Sequence, residues 1–193
     1  MRFFNKALLI DESLVIADLH LGYEQALEER GIFLPQYQFN QIKSELEKIF
    51  FEIDKIKNKK AINKKQKINN KKVNEIIILG DLKHEFSGVL SQEWREVIDL
   101  LNFLKKKCGK IILIRGNHDN YLVSVIKKLG IKLEDYYVKN EICFLHGHKI
   151  FSECLKENIE MIVIGHRHPA IVLSDKYKKE RYKCFLIGNW KNK

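Results

Sequence analysis

Leu14-Val15-Ile16-Ala17-Asp18-Leu19-His20 is an apolar run that ends in two side chains able to hold a metal ion. On an extended chain, residues two apart share a face, so Asp18 and His20 can point at one centre. The same order of events recurs along the chain. Ile76–Leu79 leads into Gly80-Asp81-Leu82-Lys83-His84, and Ile111–Ile114 leads through Arg115 into Gly116-Asn117-His118-Asp119. Ile142–Leu145 leads into His146-Gly147-His148, and Ile162–Ile164 leads into Gly165-His166-Arg167-His168. All seven histidines fall in these five motifs. Any one of them alone reads as an ordinary core or turn histidine. Five coincident motifs at the ends of buried runs read as ligands gathered at the carboxyl edge of a sheet, where open α/β sheets place their sites.

The runs are short, β-branched and bounded by turns, as strands buried on both faces are. They predict strands at 7–10, 14–17, 75–79, 110–114, 141–145, 161–164, 170–173 and 184–187, with residues 176–183 as a charged hairpin turn. Gln36–Ile56 carries Phe39, Ile42, Leu46, Ile49, Phe50 and Ile53 at helical spacing, the mark of an amphipathic helix. Gln92–Lys107 does the same with Trp94, Val97, Ile98, Leu101 and Leu104, capped by Ser91 and closed by Gly109. Asn120–Leu129 predicts a third, shorter helix. Strand alternates with helix in the first half, and strand follows strand in the second. That order predicts an α/β sandwich with mixed sheets.

At 193 residues the chain fits a single domain. Its net charge of +10 is local: nine lysines and no acid fall between Lys55 and Lys72, so the body is close to neutral. That tract, rich in Lys and Asn, predicts a mobile loop or a frayed helix extension. It could grip a nucleic-acid backbone, but it lacks aromatic residues on which bases stack, which favours a solvated segment. The four cysteines show no zinc-ribbon spacing. With no signal peptide and no membrane-length apolar run, they read as reduced thiols of a cytoplasmic, non-membrane protein.

The donors are carboxylates, an amide oxygen and imidazoles, without thiolate. Such a set favours Mn, Fe, Zn, Co or Ni over a structural zinc. Seven ligands exceed what one tetrahedral ion needs, and two ions sharing a carboxylate account for the surplus.

The ordered series Asp-x-His, Gly-Asp, Gly-Asn-His-Asp, His-Gly-His and Gly-His-x-His, spanning Asp18 to His168, resembles the calcineurin-like metallophosphoesterase superfamily. Within it, Ala17–Glu24 and Gly80–Phe86 resemble the archaeal SbcD-related and DNA-ligase-associated phosphoesterases. The resemblance implies a four-layer αββα sandwich with two mixed β-sheets. It implies two divalent metal ions, manganese foremost. Asp18, His20, Asp81 and His168 would hold one ion. Asp81 would bridge to the second, completed by Asn117, His146 and His166. His118 would contact the phosphate and protonate the leaving oxygen, with Asp119 as its orienting partner.

Four further residues adjoin this set. His148 reads as a support for the ligands. His84 stands where many relatives carry an acid, and it reads as a substrate-cleft or orienting residue. Arg115 and Arg167 could meet phosphate oxygens as planar forks. Gly22 and Tyr23 would shape the pocket mouth. Phosphoprotein phosphatases of the superfamily continue with Asp-Arg-Gly, whereas Lys83-His84-Glu85-Phe86 stands here, which counts against that activity. The expected function is hydrolysis of phosphodiesters by a metal-activated water. An SbcD-type DNA or RNA nuclease, with a partner supplying the grip, is one alternative. A non-catalytic metal-binding scaffold is the other, and the intact ligand series argues against it.

Overall fold

The computed structural model describes residues 1–64 and 73–190. A six-stranded mixed sheet runs in the order β1 (Arg2–Phe3), β2 (Leu8–Ile10), β3 (Ser13–Ile16), β4 (Val73–Ile78), β5 (Cys108–Ile114), β6 (Lys132–Glu134). The first three strands pair antiparallel, and β3 to β6 pair parallel. A second mixed sheet holds β7 (Tyr136–Lys139), β8 (Ile142–Leu145) and β9 (Met161–Ile164), antiparallel then parallel. A hairpin of β10 (Ala170–Ser174) and β11 (Lys179–Lys183) follows.

Strand alternation divides the core cleanly. Leu14, Ile16, Ile76, Ile78, Ile111 and Leu113 face the helices. Val15, Ile77, Ile112 and Ile114 face the second sheet, where Phe144 meets them. Helices α2 (Gln38–Lys64) and α3 (Ser91–Lys105) cover the first sheet with Leu46, Ile49, Phe50, Ile53, Val97, Leu100, Leu101 and Leu104. Beyond the second sheet, a single 3-10 turn at Ser152–Leu155 brings Cys154 against Cys143 and Leu145. The mixed α/β layering agrees with the sandwich expected, its last layer being thin among the described residues. Short helices α1 (Tyr23–Glu28) and α4 (Val123–Lys128) complete the set. Helix α2 runs on into the first part of the basic tract, and residues 65–72 lie outside the described residues. Among the described residues, no helix is long and apolar enough to cross a membrane.

Four expectations need correction. The last strand is Lys179–Lys183 and not 184–187, because Tyr182 and Arg181 pair with Ile171 and Val172. The turn is correspondingly tight, with the Asp175 carboxylate accepting from the Tyr177 and Lys178 amides. At the start of α3 the buried face is polar. Gln92, Glu93 and Glu96 point inward and leave Trp94 39% exposed. The helix is capped by Glu93 and not by Ser91: its carboxylate reaches back to the Leu90 amide at 2.8 Å. Finally, Cys143 and Cys154 are joined as a disulfide, not held as free thiols, and tie β8 to the 3-10 turn.

One polar pin crosses between the sheets at the end remote from the motifs. The buried Glu75 carboxylate accepts from Ser13 Oγ at 2.6 Å, Lys139 Nζ at 2.6 Å and Tyr137 OH at 3.3 Å. Burial pushes this carboxyl up, but the three donors outweigh it and hold the pKa below the usual glutamate range. A depressed carboxyl contributes stability above its unfolded pKa and loses it as pH falls. Glu75→Gln is expected to lower the unfolding free energy by about 2 kcal/mol at pH 7. The gap to wild type narrows as pH drops below about 4.5. Urea melts at pH 7 and pH 3.5 check both, and a gap independent of pH would rule this account out.

Candidate metal centre and active site

Each motif begins where a strand stops. Asp18 and His20 follow β3, Asp81 follows β4, Asn117 and His118 follow β5, His146 follows β8, and His166 and His168 follow β9. Backbone pairing continues past the strand ends and keeps the first two motifs side by side. Asp18 N–H donates to Gly80 O, His20 N–H to Asp81 O, and Leu21 N–H to Leu82 O. The candidate ligands then turn sharply. Asp18, His20, Asp81, His166 and His168 all have φ between 43° and 64°, a left-handed conformation that costs a non-glycine residue about 1–2 kcal/mol. Two glycines let the loops touch. A Cβ on Gly80 would sit 2.6 Å from Gly116 N and 2.8 Å from His146 Nδ1, and one on Gly116 would sit 2.2 Å from Asp81 N.

The donors converge in three overlapping groups: Asp18, His20 and His168; His20, Asp81 and His118; and Asp81, His146 and His166. Within each, one ligand atom per residue lies within 4.8 Å of the others. Asp81 Oδ2 stands 3.3 Å from His146 Nε2 and 3.8 Å from His20 Nε2. Asp18 Oδ1 is 3.7 Å from His168 Nε2 and 3.8 Å from His146 Nδ1. Asn117 Oδ1 lies 3.0 Å from His146 Nε2.

The ring hydrogen bonds fit metal binding. His146 Nδ1 donates to the Leu79 carbonyl at 2.6 Å, leaving Nε2 facing the carboxylates. This is how a ligating imidazole is commonly oriented. Among the described residues the buried Nδ1 of His20 has no hydrogen-bond partner, which leaves it open to a cation. Burial, reinforced by the neighbouring imidazoles, outweighs Asp81 and lowers the His20 pKa to about 4, keeping it neutral. For Asp81, burial acts upward, but His146 and the His118 amide hold its carboxyl at about 2, ionised at any ordinary pH. Asp18 is raised by burial, against the His166 amide. His20 and Asp81 are thus in the forms that ligate a divalent cation, a neutral imidazole and an ionised carboxylate. For His146 burial acts downward, but Asp81 and the Leu79 carbonyl outweigh it and raise its pKa, so Asp18 and His146 would each release a proton on taking up the cation. The residues present therefore fit the two-ion set implied by the motifs.

The His118 ring stands beside this cluster, its Nδ1 donating to the His84 carbonyl at 2.5 Å. That leaves Nε2 as the ring nitrogen not turned to this carbonyl. Asp119 does not orient the ring. Its buried carboxylate accepts from Leu82 N–H at 2.8 Å and Gly116 N–H at 2.9 Å, binding the loops after β4 and β5 together. His84 lies near-parallel to His118, centroids 5.9 Å apart. His148 packs against His146 and His166 from behind. Arg115 is turned aside, its Nε 3.4 Å from Asp135. Arg167 is exposed, and its charge helps lower the His166 pKa behind the larger effect of burial.

Periodicity gave no sign of the support beneath the loops. Glu93 accepts from the His84, Glu85 and Leu90 amides. Glu96 accepts from Gly22 N–H, and Glu24 from Tyr37 and Gln38 N–H. Lys83 is fully buried, its ammonium on the Glu85 carbonyl and close to the charges of Glu93 and Asp119. A run of Gln and Glu at a helix start reads as solvated, and only the loops packed over it show otherwise.

In sequence, no curated protein matches the chain. In structure it is similar to the Pseudomonas putida nuclease MPE, with a TM-score of 0.61, 21% identity, and coverage of 95% of this chain and 74% of that one. At that identity the likeness speaks for the fold. The model of the calcineurin-like phosphoesterase family matches residues 13–188, a span that takes in every motif described above, and the chain belongs to that family.

Proposed function

We propose that the chain is a two-metal phosphodiesterase, with Mn²⁺ the preferred ion. The observation that carries this reading is the placement of Asp81 in two of the three donor groups, between His20 and His118 on one side and His146 and His166 on the other. A carboxylate so placed suits a bridge. Divalent ions held there supply neutralisation of the phosphoryl oxygens and a water of lowered pKa. The chain's own work is to fix these donors, and to set His118 Nε2 where it can give a proton to the leaving oxygen. Arg115, its Nε on Asp135 at the surface, is left out of this scheme. Nucleic acid is the second substrate reading, in keeping with the nuclease whose fold this chain shares.

The test uses protein stripped by chelator and reloaded with Mn²⁺. It compares an aryl phosphodiester, the matching monoester, and single- and double-stranded DNA. Turnover is expected only with metal and faster on the diester than the monoester. Faster cleavage of the monoester would overturn the diester reading, and no turnover of any substrate would overturn the enzyme reading. A rate on DNA that falls steeply with salt would mark backbone contacts.

A further inference from the structure

One flank of the site is lined by rings that the phosphate chemistry leaves unused. Tyr23 stands edge-on to His84, centroids 4.9 Å apart, and Phe86 stands edge-on to His118 at 5.6 Å. Both present ring surface to solvent, Tyr23 being 40% and Phe86 55% exposed. The backbone immediately before each ring is held from below. Glu93 grips the His84 and Glu85 amides on one side of the flank, and Glu96 grips Gly22 on the other. Arg30 pairs with Glu85 at 3.7 Å and ties the two loops across the top. Open aromatic faces anchored next to a group that handles the leaving oxygen will meet whatever that oxygen carries.

We propose that Phe86 and Tyr23 form a stacking subsite for a nucleobase on the leaving side of the scissile phosphate. The inference rests on the phosphodiesterase reading and narrows its substrate to diesters with an unpaired base beside the bond that is cut. A flat base offers a π-face to these rings whatever its identity, so selection is for presence of a base and not for sequence. A base stacked inside a duplex has no free face to offer, so duplex interiors are excluded while single strands, frayed ends and dinucleotides are admitted.

The experiment compares a thymidine dinucleotide with its analogue lacking the base on the leaving sugar. Both kcat/KM with Mn²⁺ and Kd for the metal-free protein are measured. Wild type is expected to favour the base-bearing diester about tenfold, the range seen for base–aromatic stacking. Phe86→Ala is expected to bring that ratio towards one, Phe86→Trp to restore it, and Tyr23→Ala to lower it in part. Phe86 is exposed, so its truncation leaves the core intact. Equal rates on both diesters, or an unchanged ratio in Phe86→Ala, would overturn the subsite and leave the phosphodiesterase standing. No cleavage of either diester would bring down both.

Discussion

Asp81→Asn is expected to lower metal-dependent kcat/KM at least ~10³-fold, equivalent to about 4 kcal/mol of transition-state stabilisation, and to reduce bound metal. The substitution is isosteric, so the fold has little reason to change. Its effect is electrical. Asp81 is buried, with Oδ1 accepting the His118 amide at 3.0 Å and Oδ2 facing His146 and His20. A neutral amide keeps one oxygen for one partner but offers no charge to share between two cations. The metal-free variant is expected to melt cooperatively, since the core on either side of β4 is untouched. Metal analysis after gel filtration and turnover with saturating Mn²⁺ read the two effects separately. Retention of both metal and rate would refute the placement of Asp81 at the centre.

Much of this was legible in the residues, for a physical reason. Strands buried on both faces have no polar alternation to blur their ends, so Leu14–Ile16 and Ile76–Ile78 announce themselves, and so do the donors that follow them. The family motifs are written in residue types that chemistry cannot easily replace. What stayed hidden depends on three-dimensional neighbours. The left-handed turns at Asp18, His20, Asp81, His166 and His168 fall on residue types that accept that conformation more readily than most but seldom adopt it, so composition alone does not place them. Gln92, Glu93 and Glu96 look like a solvated helix face until loops from elsewhere bring their amides down onto it. Asp119 looks like a partner for the adjacent His118, yet its carboxylate turns towards a loop 37 residues earlier. The Cys143–Cys154 bond joins residues whose spacing matches no motif. Sequence pattern carries the donors well and their supports poorly, because supports act through backbone amides that any residue can supply.

His118→Ala is the sharper test of how the site divides its labour. His118 lies within 4.8 Å of His20 and Asp81 by ligand atoms, close enough to serve as a ligand itself. Yet its Nδ1 is engaged by the His84 carbonyl, and its ring is flanked by His84 and Phe86 on the open side of the site. A proton donor so placed contributes about 10²–10⁴-fold, and its loss falls unevenly across substrates. A nitrophenolate leaves readily without a proton, whereas an alkoxide does not. His118→Ala is therefore expected to keep its metal and to lose ~10²-fold or more on an alkyl diester, with a much smaller loss on a nitrophenyl diester. The leaving-group dependence of the rate should steepen to match. Equal losses on both substrates together with lost metal would make His118 a ligand, and the proton for the leaving group would then have to come from elsewhere.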